Sequence, residues 1–383
     1  MNSITSKKDF PSAGSFVYLN AANVGLMYSE AEKVIKEWYK DLAYNGSNNF
    51  DENAEESVFK KLHIAAAALI NSEPDDIAAG SSTTELLCSL AWAVSPTKEQ
   101  NVVSTENVFP STIYPWQRVA RATGCEIRMA KEKNNFINID DIIALIDKNT
   151  AAVSISHVEY ANGQIYNLEL LADAVHTHNA LLIVDATQSA GAIPIDIKAF
   201  NVDVLISGAY KWLCGPFGAA FMYLTPYLQE KLDPGLVGFR SHENMWDLNA
   251  MRMNYVSTAA KFEYSTMAFG CALGLSESID FIHKTGVETI FQHNKMLSDR
   301  LIEGMLGIGA RITSPLNEND RTSIVRAHVK SVDTYQLKNG LQNADVFVST
   351  RGNSIRFSPH LYNTLDDIDR AINEIKKWIK NNE

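Results

Sequence analysis

The chain has 383 residues, of which 46% are hydrophobic and 21% are charged, and its formal net charge at pH 7 is −11. This composition is typical of a soluble globular protein, and the length exceeds what one ordinary hydrophobic core requires, so we expect two domains. The acidic balance argues against binding nucleic acid or an anionic membrane through a general basic surface, so any bound phosphate must be held by a local site.

The N-terminus and the cysteines carry no targeting or cross-linking signal. Residues 1–16 include basic side chains but no apolar stretch like that of a signal peptide, and no segment reaches transmembrane length, which predicts a cytoplasmic protein. The cysteines lack CxxC spacing and neighbouring histidines, so we expect neither a disulfide framework nor a bound metal. These cysteines are Cys88, Cys125, Cys214 and Cys271.

Short apolar runs alternate with helical patterns from about residue 77 onward. IAAG, NVVSTE, AAVSISHV and ALLIVDAT have the strand pattern, and VDVLISGA and GAAFMYL extend the series. The alternation predicts an α/β fold with a mainly parallel sheet covered by helices on both faces. We assign this large domain to residues 26–265, after an N-terminal segment at residues 1–25.

The pattern changes after roughly residue 270. A long helical stretch, GLSESIDFIHKTGVETIFQHNKMLSDRLIEGML, precedes the strand-like runs TSIVRAHV, VFVST and SIRFSP. This predicts a smaller α+β domain, which we assign to residues 266–383. It closes with a helical pattern in which Thr364 and Asp367 have capping-box spacing.

Polar residues follow three of the predicted strands, and the ligands of an open parallel sheet gather at the carboxyl ends of its strands. One group directly precedes a helix, where hydroxyls and backbone N–H groups suit a single phosphate. The groups are Ser82, Thr83 and Thr84 after IAAG, Asp185 and Gln188 in IVDATQSAG, and Ser207, Tyr210 and Lys211 in ISGAYKWLCGPFG.

Each group alone has a structural explanation, as an N-cap, a turn or a solvated loop lysine. Their order along the chain is more informative. Asp185 precedes Lys211 by 211 − 185 = 26 positions with one strand-like run between them. Both side chains can therefore reach one cofactor from neighbouring strand ends.

The segments SHVEYANGQI, VDATQSAGAIPIDI, ISGAYKWLCGPFGAAFMYL, KFEYST and IRFSPHLYNTLDDID occur in a characteristic order. In them the chain resembles, nearly end to end, the class V aminotransferases of pyridoxal 5′-phosphate (PLP) fold type I. That family includes cysteine desulfurases, kynureninases and isopenicillin N epimerase-like enzymes. The resemblance implies a PLP-dependent transferase fold with a mostly parallel sheet of seven-stranded type, a smaller α+β C-terminal domain, and a homodimer with active sites at the interface.

The resemblance also implies a role for each residue at the strand ends. Lys211 would carry PLP as a Schiff base and afterwards move protons as general acid and base, which requires a partly neutral amine. Asp185 would keep the pyridine nitrogen protonated, and Gln188 would hydrogen-bond the phenolic oxygen. The phosphate would be held by Ser82, Thr83, Thr84, Ser207 and Tyr210.

Further contacts are implied in TENVFPSTIYPW and KFEYST. Phe109 would stack on the cofactor ring, whereas Tyr114 and Trp116 are expected in the core. Thr266 would reach across the dimer interface to the phosphate of the neighbouring subunit.

The C-terminal strands contain the expected substrate-binding arginines. Arg356 would hold the substrate α-carboxylate with its bidentate guanidinium, with Arg351 as its helper. The stretch VFVSTRGNSIR has no cysteine, whereas desulfurases need a mobile thiolate there to attack the substrate sulfur. Persulfide-forming desulfuration is therefore disfavoured, and Cys214 is expected to be a packing residue.

The segment SHVEYANG departs from the family pattern. Tyr160 stands where many relatives have an Asn that contacts cofactor or substrate, so the polar contacts of the pocket should differ. His157 and Glu159 are either neighbours of the cofactor or buried structural groups.

These residues predict a PLP-dependent enzyme acting on an amino acid by transamination or by C–S lyase-type β-elimination. The alternatives are epimerisation of the isopenicillin N epimerase type and hydrolysis of the kynureninase type. A non-catalytic PLP-fold binding protein is the alternative outside enzymes, and the intact set of Asp185, Lys211 and Arg356 argues against it.

Overall fold

Strands and helices alternate along the first two thirds of the chain, as the sequence predicts. The computed structural model describes residues 4–330 and 332–382. Within this part, the helices are α1 Ser29–Asn45, α2 Glu52–Glu56, α3 Lys60–Ile70, α4 Thr83–Val94, α5 Pro110–Thr123, α6 Ile139–Ile143, α7 Leu168–Thr177, α8 Ile197–Phe200, α9 Pro226–Lys231, α10 Phe269–Thr285, α11 Val287–Gly307, α12 Thr334–Asn343 and α13 Leu365–Asn382. The strands are β1 Val17–Tyr18, β2 Ile77–Gly80, β3 Asn101–Thr105, β4 Glu126–Ala130, β5 Thr150–Ser156, β6 Leu181–Asp185, β7 Val204–Gly208, β8 Ala220–Leu224, β9 Arg311–Ile312, β10 Val325–His328, β11 Val346–Phe347, β12 Ser349–Arg351 and β13 Ser354–Phe357.

The largest sheet of the described residues has seven strands in the order β2-β8-β7-β6-β5-β3-β4. Its pairs from β7 to β4 are parallel, whereas β8 runs antiparallel to both β2 and β7. The predicted, mostly parallel sheet is therefore confirmed. Because β5, β6 and β7 are parallel neighbours, their carboxyl ends meet at one edge of the sheet.

Helices cover both faces of this sheet, which explains why its central strands are almost continuously apolar. Leu205 on β7 contributes to one core and Ile206 to the other, because successive side chains of a strand point to opposite faces. On the second face, Leu86 of α4 and Trp116 of α5 belong to the same buried cluster as Ile206. The sheet is thus the middle of three layers.

The C-terminal part forms a second sheet in the order β12-β13-β10-β9, with antiparallel pairs. The predicted capping box at the start of α13 is confirmed: the N–H of Asp367 donates to Oγ1 of Thr364 at 3.2 Å, and the N–H of Thr364 donates to Oδ2 of Asp367 at 2.9 Å. The single long helix expected after residue 270 is wrong, because Gly286, with φ +87°, separates α10 from α11.

The N-terminal segment connects the two parts of the molecule. Strand β1 pairs with β11, and the N–H of Gly25 donates to the carbonyl of Tyr210 at 2.8 Å beside the lysine loop. Phe269 and Leu275 of α10 belong to the core of the large sheet. The domain boundaries after residues 25 and 265 stay predictions. These contacts show that the segments on either side of each boundary pack closely together.

Candidate active site

A pocket lies at the carboxyl ends of β5, β6 and β7, where the sequence placed the ligand site. Its wall includes hydroxyls from the N-terminus of α4, side chains from the loops after β6 and β7, and aromatic rings. The lining residues are Ser82, Thr83, Thr84, Phe109, Ser111, Ser156, Val158, Tyr160, Asp185, Thr187, Gln188, Tyr210 and Lys211. The structure thus brings together eight of the predicted site residues, namely Ser82, Thr83, Thr84, Phe109, Asp185, Gln188, Tyr210 and Lys211.

Asp185 is the last residue of β6, and its carboxylate is held from two sides. Oγ1 of Thr112 donates to Oδ2 at 2.8 Å, and the N–H of Thr187 donates to Oδ1 at 2.9 Å. Both bonds fix the orientation of the carboxylate. A carboxylate in this buried position is suited to pair with a protonated ring nitrogen.

Lys211 follows β7 in the loop that the sequence singled out, and only 7% of the residue is exposed. Burial lowers the pKa of its amine to about 8, although Asp185 acts in the opposite direction. The Nζ lies 5.5 Å from the ring centroid of Phe109 and 5.6 Å from that of Tyr210. A lysine in these surroundings is partly neutral near pH 8, which a nucleophile and proton carrier requires.

The hydroxyl cluster at the start of α4 has a local cause. Ser82 is the N-cap, and its Oγ accepts from the N–H of Glu85 at 3.1 Å. Thr83 and Thr187 share a hydrogen bond of 3.0 Å between their hydroxyls. A Cβ on Gly208 would lie 3.0 Å from Oγ1 of Thr83, so a glycine lets β7 approach this helix end closely. The first turn of α4 offers unpaired N–H groups and a favourable dipole to an anion.

Gln188 is fixed by two protein contacts. Its Nε2 donates to the carbonyl of Ala22 at 3.0 Å, and its Oε1 accepts from Nε1 of Trp212 at 2.7 Å. A side-chain amide has two N–H donors, so one remains for a group in the pocket.

Arg356 lies beside the pocket rather than among its lining residues. Its Nε donates to Oγ of Ser349 at 3.0 Å and its Nη1 donates to the carbonyl of Tyr160 at 2.6 Å. Arg351 lies with its guanidinium carbon 5.6 Å from the ring centroid of Tyr160. Because Arg356 is 0% exposed, a carboxylate reaches its guanidinium only if neighbouring groups move.

Two residues that were predicted to contact the phosphate lie outside the pocket lining. Ser207 is buried on β7, on the face opposite to Gly208, and its hydroxyl donates to the carbonyl of Gly208 at 3.3 Å. Thr266 is exposed at the surface of the single chain. Neither residue lines the pocket in the described structure, and their phosphate roles stay predictions.

Of the three aromatic residues predicted near α5, two lie where the sequence predicts and one does not. Phe109 lines the pocket and meets the Tyr160 ring edge to face, with centroids 5.2 Å apart. Trp116 is in the core, as predicted. The core assignment of Tyr114 is wrong, because this side chain is 61% exposed on the outer face of α5.

His157 and Glu159 in SHVEYANG are both buried. Oε1 of Glu159 accepts from Oγ1 of Thr105 and from the Tyr166 hydroxyl, each at 3.0 Å, and burial raises the pKa of Glu159 to about 7. Burial lowers the pKa of His157 to about 4. Neither residue lines the pocket. Nδ1 of His157 and Oε2 of Glu159 are buried without a hydrogen-bond partner in the described structure, so their roles stay predictions. Burial likewise raises the pKa of the Cys214 thiol, as expected for a packing residue.

Sequence reasoning missed several residues that shape the site. Thr112 and Thr187 hold Asp185, and Trp212 holds Gln188. Thr187 and Trp212 adjoin predicted residues in the chain, and that adjacency was the available signal. Thr112 had no such signal, because it follows a different strand.

The donor set fits PLP. The pocket combines a buried amine, an ionised carboxylate, a helix N-terminus with hydroxyls and an aromatic face at Phe109. A phosphorylated pyridine aldehyde presents the complementary groups: an electrophilic carbon, a basic ring nitrogen, a dianion and a flat ring.

Matches to one protein family, one curated relative and two solved structures bear on this assignment. The aminotransferase class-V family matches residues 17–371. The uncharacterized aminotransferase YcbU of Bacillus subtilis (strain 168) is 26% identical over 96% of this chain and 95% of its own length. The apo cysteine desulfurase from Thermococcus onnurineus NA1 superposes with a TM-score of 0.88 at 21% identity, covering 100% of both chains. The complex of the cystine C–S lyase C-DES with cysteine persulfide gives 0.87 at 20% identity, covering 96% of this chain and 98% of the other.

The fold and the pocket define a PLP-dependent enzyme of fold type I. The chain belongs to the aminotransferase class-V family. The predicted family, fold class and cofactor are therefore confirmed. Within residues 4–330 and 332–382, no helix combines the length and apolar character needed to cross a bilayer. The same residues contain no group of three or more His, Cys, Asp or Glu side chains that could hold a metal ion.

Proposed function

We propose that the chain binds PLP through Lys211 and Asp185 and catalyses β-elimination from an amino acid, as a C–S lyase does. The observation that carries this proposal is the pairing of a buried amine, its pKa lowered to about 8, with a hydrogen-bonded carboxylate at a neighbouring strand end. PLP, when bound, withdraws electrons and so stabilises a carbanion at the substrate α-carbon.

The side chains divide the remaining work. Asp185 would pair with the ring nitrogen, because its carboxylate is held in place by Thr112 and by the N–H of Thr187. Lys211 takes the proton from the substrate α-carbon and delivers one to the departing group. An amine with a pKa near 8 does both at neutral pH, because each protonation state is populated.

Substrate binding falls to the arginines. Nη2 of Arg356 is buried without a hydrogen-bond partner in the described structure, so a carboxylate would satisfy it. A guanidinium binds a carboxylate through two parallel hydrogen bonds and so fixes its orientation. Gln188 has one N–H left for the phenolic oxygen, and Ser82, Thr83 and Thr84 would surround the phosphate together with Tyr210.

Persulfide-forming desulfuration is not proposed, because the stretch before Arg356 has no cysteine and Cys214 is buried. Transamination is the second candidate, favoured by the curated aminotransferase of similar length. Both reactions begin with removal of the same α-proton. They differ in where the proton returns and in whether a group departs from Cβ.

The experiment has two stages. Purified protein with PLP should absorb in the visible range, and borohydride should fix PLP on Lys211, as peptide mapping would show. Lys211→Ala should fold, lose this link and lose turnover, whereas Lys198→Ala, at an exposed position, should behave as the parent does. Unaltered activity in Lys211→Ala, or failure to take up PLP, would refute the assignment.

The second stage separates the reactions. The PLP-loaded protein is incubated with single amino acids, and pyruvate, sulfide and transfer of the amino group to an added keto acid are assayed separately. Pyruvate formed without a keto acid supports β-elimination. Activity that requires the keto acid supports transamination instead.

We further propose a cytoplasmic homodimer. The four cysteines are free thiols, which suits a reducing compartment, and Thr266 is exposed where the family contacts a neighbouring subunit. Light scattering should give twice the mass of 42.5 kDa. A monomeric mass would contradict the proposed dimer and, with it, an active site shared between subunits.

A further inference from the structure

Arginines cluster on one face of the small sheet, next to the pocket. Arg326 on β10 lies directly opposite Arg356 on β13, and Arg356 lies opposite Ser349 on β12. Arg351 is two residues after Ser349 and therefore on the same face. The opposite face carries Val325, Ala327, Ile355 and Phe357, which form the core.

Tyr160 is the common neighbour of these arginines and also lines the pocket. Its carbonyl accepts from Nη1 of Arg356 at 2.6 Å, and its ring lies 5.6 Å from the guanidinium carbon of Arg351. Its phenol acts to raise the pKa of Arg326, Arg351 and Arg356. The cluster of Arg326, Arg351 and Arg356 therefore lies next to Tyr160, which is part of the pocket wall.

The cluster is short of negative partners. None of the three arginines forms an ion pair within 4.0 Å among residues 4–330 and 332–382. Nε of Arg326, Nε of Arg351 and Nη2 of Arg356 are buried without a hydrogen-bond partner. Glu132 acts to raise the pKa of Arg326, but burial outweighs it and lowers the pKa.

Such an arrangement is costly for the protein alone. Like charges directly opposite each other in a sheet destabilise it, and a buried guanidinium needs hydrogen-bond partners. It is also unlike the rest of the chain, whose formal net charge is −11. An arrangement of this kind is explained if anionic groups of a ligand complete it.

We propose that the substrate is an amino acid with a second anionic group on its side chain, bound by Arg351 and Arg326 while Arg356 binds the α-carboxylate. One bidentate guanidinium is sufficient for the α-carboxylate, so the other two arginines exceed that need. The inference rests on the proposed function, since it assumes that the substrate lies in the PLP pocket. The inference does not depend on whether elimination or transamination follows substrate binding.

Binding of simple acids tests this inference without turnover. Calorimetry on the PLP-loaded protein compares dicarboxylates with monocarboxylates of equal chain length, namely succinate with butanoate and glutarate with pentanoate. At least one dicarboxylate should bind about 10- to 100-fold more tightly than its partner, as expected for one additional charge-assisted contact. Equal affinities in both pairs, or no dicarboxylate binding at millimolar concentration, would overturn the proposal.

Variants assign the preference to residues. Arg351→Met and Arg326→Met should each reduce the dicarboxylate preference by about tenfold or more. Arg356→Met should weaken both classes. The matched control is Arg370→Met, an exposed arginine on α13 of the same small domain, which should change neither. A preference that survives in both Arg351→Met and Arg326→Met would also overturn the proposal.

Folding and cofactor binding are measured separately. Thermal unfolding and visible absorbance show whether each variant folds and holds PLP, and Arg351→Lys and Arg326→Lys, which keep the charge, replace any Met variant that does not fold. The lysine variants should retain part of the preference. If the parent takes up no PLP, the proposed function fails, and the acids are then compared on the PLP-free protein. A dicarboxylate preference of that protein that is lost in Arg351→Met would still support the anion site.

Discussion

Oγ1 of Thr112 donates a hydrogen bond of 2.8 Å to Oδ2 of Asp185, joining the first turn of α5 to the end of β6. Both residues are buried, and the Thr112 carbonyl also accepts from the hydroxyl of Ser154 on β5 at 3.2 Å. The orientation of the carboxylate therefore depends on a helix that contributes no charged group to the site. The ring-nitrogen partner is positioned by its surroundings as well as by its own strand.

Thr112→Val should weaken PLP binding by about tenfold, because it removes a hydrogen bond to a charged group. Fluorescence titration with PLP measures the affinity. Thr112→Ser keeps the hydroxyl and should restore most of it; equal affinity in the Val and Ser variants would show that the bond has no role in binding.

Lys211→Met should stabilise the PLP-free protein at neutral pH. The pKa of Lys211 falls from its ordinary 10.5 to about 8, which corresponds to a burial cost of about 3 kcal/mol. Below pH 8 the amine is charged in both folded and unfolded chains, so the folded protein bears the full burial cost. Between pH 8 and 10.5 the unfolded chain binds more protons, and the stability of the parent rises.

The measurement is urea unfolding of parent and Lys211→Met at intervals from pH 7 to pH 10.5. The variant should be more stable by about 2–3 kcal/mol at pH 7, and the difference should shrink as the pH rises. Lys198→Met, at an exposed site, is the control and should show no such trend. A difference that does not change with pH would contradict the burial of a charged amine.

Trp212→Phe should alter the spectrum of the PLP-loaded protein although Trp212 does not line the pocket. The substitution removes the 2.7 Å hydrogen bond to Oε1 of Gln188, so the Gln188 amide is no longer fixed between two partners. If Gln188 donates to the phenolic oxygen, the pKa of that phenol should rise by roughly half to one unit. Absorbance as a function of pH measures this shift.

Trp116→Phe is the matched control for this substitution. Trp116 is equally buried, but its Nε1 has no hydrogen-bond partner in the described structure. It should lower stability through packing without moving the absorbance transition. Equal shifts in the two tryptophan variants would attribute the effect to packing rather than to Gln188.

The sequence was most informative where the signals are local. Asp185 and Lys211 end apolar runs, and parallel strands bring such ends together, so their meeting could be predicted. The arginine cluster depends on the register of β10 against β13, between residues 356 − 326 = 30 positions apart. Because this register is set by a distant strand, the sequence around Arg326 gave no indication that it belongs to the cluster. The face on which Ser207 lies likewise depends on how β7 is oriented in the sheet, and the sequence of β7 alone does not determine that orientation.

Gly25→Ala should disturb the lysine loop from outside the pocket. A Cβ at this position would overlap the carbonyl oxygen of Lys211, and the hydrogen bond from the Gly25 N–H to the Tyr210 carbonyl at 2.8 Å prevents the segment from moving away. We expect a loss of about 1–3 kcal/mol in stability and weaker PLP binding. The control is Gly307→Ala, where no atom lies within 4 Å of the new Cβ and a helix end should tolerate or favour alanine. If Gly25→Ala lowered stability but left PLP affinity at the parent value, the N-terminal segment would support the fold without positioning Lys211.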